Sequence, residues 1–286
     1  MLHTSWLQSL QSTNPQEGHL HGAYGTCHYL RWGSTHAPAI ICLHGASANA
    51  YWFSVLGSTF EGQYQVISLS FPGHGLSHWQ DTYSLPLLLR AVDDAIALVD
   101  GPAILIGHSF GGRVALEYLR RYANKICGVC VLDPPGMRLP RLARKKNGPL
   151  RSHTIRPSKQ NMIERFRFIP NQPLPDPFLC RYIAEHSILP VTGGWRWQFD
   201  PNFFLKLDGA DFLDPQQNSS FRPSVEHVLF YGEHTTVTTQ FVRTSLRKVF
   251  PAMQEVLINN AWHAIMLDQP EQIHQKIHNL ASQWLP

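Results

Sequence analysis

A serine flanked by glycines is the part of this sequence best suited to chemistry. Ser109 lies in Gly107-His108-Ser109-Phe110-Gly111-Gly112, after the apolar run 103–106 and before a helical pattern. On so sharp a turn between strand and helix, neighbours with side chains would collide with both elements. The turn exposes the hydroxyl and places the next backbone N–H at a helix N-terminus. The segment predicts a nucleophile; the alternative is that Ser109 only caps the helix.

A serine hydroxyl is a weak nucleophile at neutral pH, so it needs an adjacent base, and the base needs an orienting acid. The sequence contains 16 histidines, so position must select the base. His263 lies in Ala261-Trp262-His263-Ala264, directly after the apolar strand pattern 255–258 near the end of the chain. We therefore predict that His263 is the base; otherwise it is a loop histidine that binds nearby backbone.

Two more segments follow apolar strands and complete an ordered set of four motifs. His44-Gly45 follows the run 39–43, and the segment 70–77 follows the run 66–69. With these motifs in this order, the chain resembles the α/β-hydrolase family, over about residues 25–135 and 223–285. The resemblance implies a serine hydrolase with Ser109 preceding its histidine along the chain.

The acid is where this chain departs from the commonest family pattern. The usual loop reads G-E-x-D, whereas here it is Gly232-Glu233-His234-Thr235. Two carboxylates remain as candidates, Glu233 in that loop and Asp133 at the end of the preceding strand. Some members of the superfamily keep the acid on that strand end, so we favour Asp133. Its other role would be to cap the loop before Pro134.

Two backbone N–H groups must stabilise the developing oxyanion. The predicted donors are Phe110, directly after the nucleophile, and Ala46, directly after His44-Gly45. His44 is predicted to brace this oxyanion loop, and Gly107 and Gly111 to support the serine turn.

The elements that position these residues follow from the alternation of short apolar strands with helices. This pattern predicts an α/β fold with a mostly parallel sheet covered on both faces, of the eight-stranded type that the resemblance implies. The predicted elements are a hairpin at 18–32, strands at 39–43, 65–69, 103–107, 128–133, 225–231 and 255–258, and helices at 49–60, 85–99 and 112–122. Residues 1–136 and 223–286 are predicted to form the core.

Residues 137–222 break the alternation and are predicted to form a helical cap, or lid, over the catalytic edge. The segment 163–170 reads as a short helix stopped by proline, and the segment 193–201 is rich in aromatic residues. A basic cluster begins the cap and comprises Arg138, Arg141, Arg144, Lys145 and Lys146. This cluster is either a solvated lid surface or a docking patch for an acidic partner or anionic substrate.

Composition limits the class of protein. The chain has 286 residues, 43% of them hydrophobic, and a net charge of +4. No N-terminal apolar run resembles a signal segment, and no run approaches the roughly 18 apolar residues of a membrane span. The five cysteines are scattered, and Cys127 and Cys130 should lie on opposite faces of one strand, so we expect no disulfide or zinc site. A cytoplasmic location is the resulting prediction.

The predicted function is hydrolysis of a carboxylic ester or thioester through an acyl-enzyme. The alternatives are a carbon–carbon bond hydrolase of the meta-cleavage type, a carrier-protein acyl methyl esterase such as the pimeloyl type, and a non-catalytic ligand-binding protein on the same fold. We expect no cofactor, no metal and no nucleic-acid partner. The expected partner is a small acyl substrate, delivered in one alternative by an acidic carrier protein.

Overall fold

The computed structural model describes residues 5–136, 154–173, 175–208 and 223–285. Within these residues the strands are β1 Gln16–Gly22, β2 Gly25–Trp32, β3 Ala39–Leu43, β4 Gln65–Leu69, β5 Tyr83–Ser84, β6 Ala103–His108, β7 Ile126–Leu132, β8 Ile188–Val191, β9 Gly194–Trp197, β10 Leu207–Asp208, β11 Glu226–Gly232 and β12 Gln254–Ile258. The α-helices are α1 Ser5–Ser12, α2 Ser54–Phe60, α3 Leu85–Ile96, α4 Phe110–Tyr122, α5 Lys159–Ile163, α6 Pro177–Glu185, α7 Phe203–Lys206, α8 Gln240–Val249, α9 Ile265–Asp268 and α10 Pro270–Trp284.

Eight strands form one sheet in the order β1-β2-β4-β3-β6-β7-β11-β12. Strand β2 pairs antiparallel with β1 and with β4. From β4 to β12 all neighbouring strands pair in parallel. The predicted α/β class with a mostly parallel, eight-stranded sheet is confirmed.

Apolar side chains bury both faces of this sheet. In β3, Ile41 and Leu43 enter one core, whereas Ile40 and Cys42 enter the other. Helices α3, α4 and α8 contribute to the first core, and α1, α2 and α10 to the second. Because no face of a central strand meets water, these strands read as continuous apolar runs in the sequence.

The carboxyl ends of the parallel strands lie at one edge of the sheet. Ser109, Asp133 and the loops after β3, β11 and β12 therefore meet there, although they are far apart along the chain. Two backbone hydrogen bonds align the strand ends: Ser109 N–H donates to Leu132 O at 2.8 Å, and Asp133 N–H donates to Phe230 O at 2.8 Å. The backbone of the sheet alone therefore brings Ser109 and Asp133 to the same edge.

Most predicted elements are found, with shifts at their ends. The strands predicted at 39–43 and 65–69 have those bounds, whereas the helix predicted at 85–99 ends at Ile96. The prediction for the cysteine pair is wrong. A register shift occurs where β6 pairs with β7 near Cys127, so Cys127 and Cys130 pack on the same core. Both thiols are free.

The described part of the insertion, residues 154–173 and 175–208, is not only helical. The helix predicted over 163–170 is wrong, because α5 ends where that helix would begin. Ser158 sets the earlier start by accepting a hydrogen bond from Asn161 N–H at 3.1 Å. The residues after α5 leave helical geometry, and Phe166 and Phe168 both contact Trp52 of the core. Strands β8 and β9 form an antiparallel hairpin from the aromatic segment.

Polar contacts attach this insertion to the core. Buried Asp200 of the insertion accepts a hydrogen bond from Tyr83 Oη of the core at 2.9 Å. Its backbone N–H donates to Gly73 O at 2.8 Å. Asn49, the N-cap of the 3₁₀ turn after β3, donates to His186 O at 2.7 Å. These contacts fix the insertion over the carboxyl edge of the sheet.

The basic cluster at 138–146 lies outside the described residues. Among the residues that are described, no helix is both long enough and apolar enough to cross a membrane. The cytoplasmic location stays a prediction.

Candidate active site

Ser109 forms the turn between β6 and α4. Its φ is +51° and its ψ is −117°, a conformation that a non-glycine residue adopts only under the constraint of its surroundings. Gly111 supplies that room, because a Cβ there would collide with the carbonyl oxygens of Leu43 and His44. A Cβ at Gly107 would likewise collide with Gly111 O. The sequence "GHSFGG" thus produces the sharp turn through close backbone approach.

The structure brings Ser109, His263 and Asp133 into one chain of contacts. His263 Nε2 lies 3.0 Å from Ser109 Oγ, and His263 Nδ1 lies 2.6 Å from Asp133 Oδ2. A carboxylate only accepts, so Nδ1 carries the hydrogen and Nε2 presents its lone pair to the serine hydroxyl. Asp133 is fully buried and His263 is 7% exposed. This arrangement can remove a proton from Ser109 as the hydroxyl attacks an acyl carbon.

Thr235 occupies the position where the family pattern has its acid. Its Oγ1 donates to Asp133 Oδ2 at 2.6 Å and accepts from Val237 N–H at 3.0 Å. Position 235 therefore does not supply an acid, and its hydroxyl instead contacts the carboxylate of Asp133. Glu233 turns elsewhere: its carboxylate accepts from Asn260 N–H at 2.8 Å, and its side chain is 44% exposed. Of the two candidate acids, Asp133 is the one in contact with His263.

The loop after β3 approaches the serine from the other side. Gly45 is needed there because a Cβ would lie 2.9 Å from His108 Nδ1 and 3.1 Å from Ser109 Cβ. His44 Nδ1 donates to Gly45 O at 2.6 Å, and its Nε2 accepts from Phe71 N–H at 3.0 Å. Burial holds the pKa of His44 well below its ordinary value, so the ring is neutral. A neutral ring can donate from Nδ1 and accept at Nε2.

This contact orients the peptide that precedes Ala46. With Gly45 O held by His44, the planar trans peptide directs the Ala46 N–H the opposite way. Ala46 and Ser109 line the same cavity, and Phe110 begins α4 beside it. The two predicted oxyanion donors, Ala46 and Phe110, are therefore on the elements that border Ser109.

A cavity of about 240 Å³ opens at the serine. Its walls away from Ser109 and His263 are mostly apolar, from Trp52 of the core and from Phe168, Ile169 and Phe204 of the insertion. Ile169 is 80% exposed, so it lies at the open side. Such walls suit the apolar part of an acyl or alcohol group.

Sequence reasoning missed three side chains that hold the loop of His263. His108 Nε2 donates to His263 O at 2.9 Å. Burial, and then the nearby His263, lower the pKa of His108 to about 3, so its ring is neutral. Asp268 Oδ2 accepts from Trp262 N–H at 2.8 Å, and Gln172 Oε1 accepts from Ala264 N–H at 3.0 Å. His108 could be recognised in the sequence by its place beside Ser109, and Asp268 as an acid close after His263, but nothing in the sequence marked Gln172.

The relatives of this chain are hydrolases and esterases. It is 29% identical over 244 residues to the pimeloyl-[acyl-carrier protein] methyl ester esterase of Neisseria meningitidis, covering 81% of this chain and 89% of that protein. It is 32% identical over 109 residues to a serine hydrolase-like protein of Danio rerio, covering 37% of this chain and only 33% of the relative's length.

A solved esterase from Mycobacterium tuberculosis shares the fold. It superposes with a TM-score of 0.79 at 21% sequence identity, covering 98% of this chain and 97% of that one. The family model for the alpha/beta hydrolase family matches residues 40–276. With most of the chain matched and the sheet, the serine turn and the strand-edge loops in the expected order, the chain belongs to the alpha/beta hydrolase family.

Proposed function

We propose that this protein hydrolyses a carboxylic ester or thioester through an acyl-enzyme on Ser109, with His263 as base and Asp133 as orienting acid. The observation that carries the proposal is the continuous contact from Asp133 Oδ2 through the imidazole of His263 to Ser109 Oγ, at 2.6 and 3.0 Å. Hydrogen-bond reach between nucleophile and base, with the base held by a third group, is the arrangement that acyl transfer needs.

The reaction has two halves. Ser109 Oγ attacks the acyl carbon while its proton passes to His263 Nε2, and Asp133 stabilises the resulting imidazolium. When the tetrahedral intermediate collapses, the bond to the leaving oxygen or sulfur breaks and that atom takes the proton from Nε2. Water then attacks the acyl-enzyme by the same route, releasing the acid and restoring the serine.

The N–H groups of Ala46 and Phe110 are the proposed oxyanion donors. The contact between His44 and Gly45 O supports this role for Ala46, because it directs the next N–H away from the His44 ring. Preorganised donors of this kind contribute about 100-fold or more to the rate each.

The cap completes the proposal. Residues 137–222 are proposed as the cap, inserted between β7 and β11, with 1–136 and 223–286 as the core. The described part of the cap supplies Phe168 and Ile169 to the cavity beside the serine. Their apolar surface supports a substrate whose acyl or alcohol part is apolar.

Covalent labelling tests the nucleophile directly. The wild-type protein should react with a fluorophosphonate probe and hydrolyse at least one member of a panel of p-nitrophenyl esters, thioesters and a meta-cleavage dienoate. Ser109→Ala should abolish both reactions, whereas Ser58→Ala, which changes a serine within α2, should retain them. Normal turnover by Ser109→Ala would refute the serine mechanism.

A methyl esterase acting on a carrier-bound acyl group is a second candidate, favoured by the relative from Neisseria meningitidis. The basic residues at 138–146 support it, because positive charge speeds association with an acidic carrier in a salt-dependent way. Neutralising Arg141, Arg144 and Lys145 should then raise KM for an acyl-carrier-protein ester and weaken its salt dependence, while hydrolysis of p-nitrophenyl acetate is unchanged. Equal effects on both substrates, or none, would contradict the carrier.

A further inference from the structure

The backbone around the candidate base is held at three consecutive residues. Trp262 N–H donates to Asp268 Oδ2, His263 O accepts from His108 Nε2, and Ala264 N–H donates to Gln172 Oε1. Gln172 also donates through Nε2 to Asp268 Oδ1 at 2.9 Å. Gln172 and Asp268 thus form a connected pair that holds the backbone N–H groups of the residues before and after His263.

The pair joins two parts of the molecule. Asp268 belongs to the core, in α9 directly after His263, whereas Gln172 belongs to the insertion between β7 and β11. Gln172 is only 7% exposed. Together with Phe168 and Ile169 it lines the cavity at Ser109.

We propose that Gln172 is a positioning residue for His263: together with Asp268 it clamps the loop of the base, so that the imidazole is aligned with Ser109 only when the segment 168–172 is docked. The proposal rests on the proposed function of Ser109 and His263. It makes alignment of the base depend on the same segment that contacts substrate.

The hydrogen-bond directions in the clamp make the proposal specific. Gln172 must present oxygen to Ala264 N–H and its amide N–H to the carboxylate of Asp268. Gln172→Glu sets two carboxylates against each other, and Asp268→Asn sets an amide N–H against another N–H. The double variant Gln172→Glu/Asp268→Asn restores every donor–acceptor pair, because the carboxylate is then at position 172 and the amide at position 268.

The experiment measures kcat and KM for a p-nitrophenyl ester and the rate constant of fluorophosphonate labelling. Each single variant should lower kcat and the labelling rate by about tenfold or more, since misplacing a catalytic group by about 1 Å can cost about 100-fold. The double variant should return to within about threefold of wild type. Gln172→Met removes both hydrogen bonds without adding charge, and it should also lower kcat and the labelling rate by about tenfold or more. It replaces Gln172→Glu in the test if that variant does not fold.

A matched control separates positioning from loosening of the insertion. Gln198 accepts from Asn49 Nδ2 at 3.1 Å and donates to Ile188 O at 3.1 Å, away from the loop of His263. Gln198→Met removes this hydrogen bond between insertion and core, just as Gln172→Met removes its own, and it should keep the labelling rate. Circular dichroism and thermal unfolding confirm that each variant is folded.

The outcomes are distinguishable. If wild type is not labelled, or Ser109→Ala is labelled equally, the proposed function fails. If the wild type is labelled and the folded single variants react at the wild-type rate, the proposal that Gln172 positions His263 is wrong. Slow single variants without recovery in the double variant, or a Gln198→Met variant as slow as Gln172→Met, would also overturn the proposed clamp.

Discussion

Moving the acid from residue 133 to residue 235 is the most direct test of how this site is built. Thr235 Oγ1 and His263 Nδ1 each lie 2.6 Å from the same oxygen of Asp133. Thr235 Oγ1 therefore lies no more than twice that distance from His263 Nδ1. An aspartate at position 235 should reach Nδ1 once Asp133 no longer carries charge.

The loss expected from Asp133→Asn is large. Asp133 is fully buried, so no water can take over its contact with the imidazole. The amide that replaces it can present N–H to Nδ1, which moves the ring hydrogen to Nε2, the atom that must accept the serine proton. The wrong tautomer costs about 10⁴ in kcat in a comparable triad, which is about 5 kcal/mol of transition-state stabilisation.

The second substitution should reverse most of this loss. Thr235→Asp alone places two carboxylates side by side, so they share a proton and the pKa of one rises. In Asp133→Asn/Thr235→Asp a single carboxylate remains, and it can accept from Nδ1. We expect the double variant to recover about 100-fold of the activity that Asp133→Asn loses.

The assay is kcat for an ester that the wild type hydrolyses, with thermal unfolding as a check on folding. Glu233→Gln is the matched control, because Glu233 is exposed and holds Asn260 N–H rather than His263. It should change kcat by less than about threefold. A loss from Glu233→Gln as large as that from Asp133→Asn would refute the assignment, and failure of the double variant to exceed Asp133→Asn would refute the geometric argument.

Two further predictions concern stability. Burial lowers the pKa of His28 to about 4, so its contribution to stability is present above about pH 6.5 and lost as the pH falls towards 4. Between pH 7 and 4.5 this residue should account for about 2 kcal/mol of the stability that the wild type loses. The free energy of unfolding of His28→Leu, measured with urea, should therefore fall by that much less over the same range. An equal fall in both proteins would contradict the buried neutral ring. Gly111→Ala should lower Tm and slow fluorophosphonate labelling at least tenfold, because its Cβ meets backbone of β3, whereas Gly62→Ala has open space and should do neither. Equal behaviour of the two alanine variants would show that the serine turn tolerates the methyl group.

The fold and the candidate nucleophile could be predicted from the sequence alone, because both depend on local patterns. Central strands such as β3 are apolar at every position, since both sheet faces are buried. Ser109 is marked by glycines that no other residue could replace on that turn. His263 was selected by its place after a strand rather than by its type. These signals are contained within a few residues each, so they survive without knowledge of the tertiary structure.

The sequence was less informative wherever a partner comes from a distant segment or where local preferences competed. The helix predicted at 163–170 was wrong because Ser158 starts a helix earlier and the core draws Phe166 and Phe168 out of helical geometry. The pattern left Asp133 and Glu233 as alternatives, because both follow neighbouring strands. Only the fold shows which carboxylate faces the imidazole.

Thr235 and Gln172 show most clearly what the tertiary structure decided. In the sequence, Thr235 looked like a missing acid, whereas in the fold its hydroxyl donates to the acid of the adjacent strand. Gln172 had no local signal at all, yet it contacts a peptide 92 residues away. A hydrogen bond depends on where two chain segments meet in space, and for these two residues that meeting is set by the packed sheet and the insertion above it.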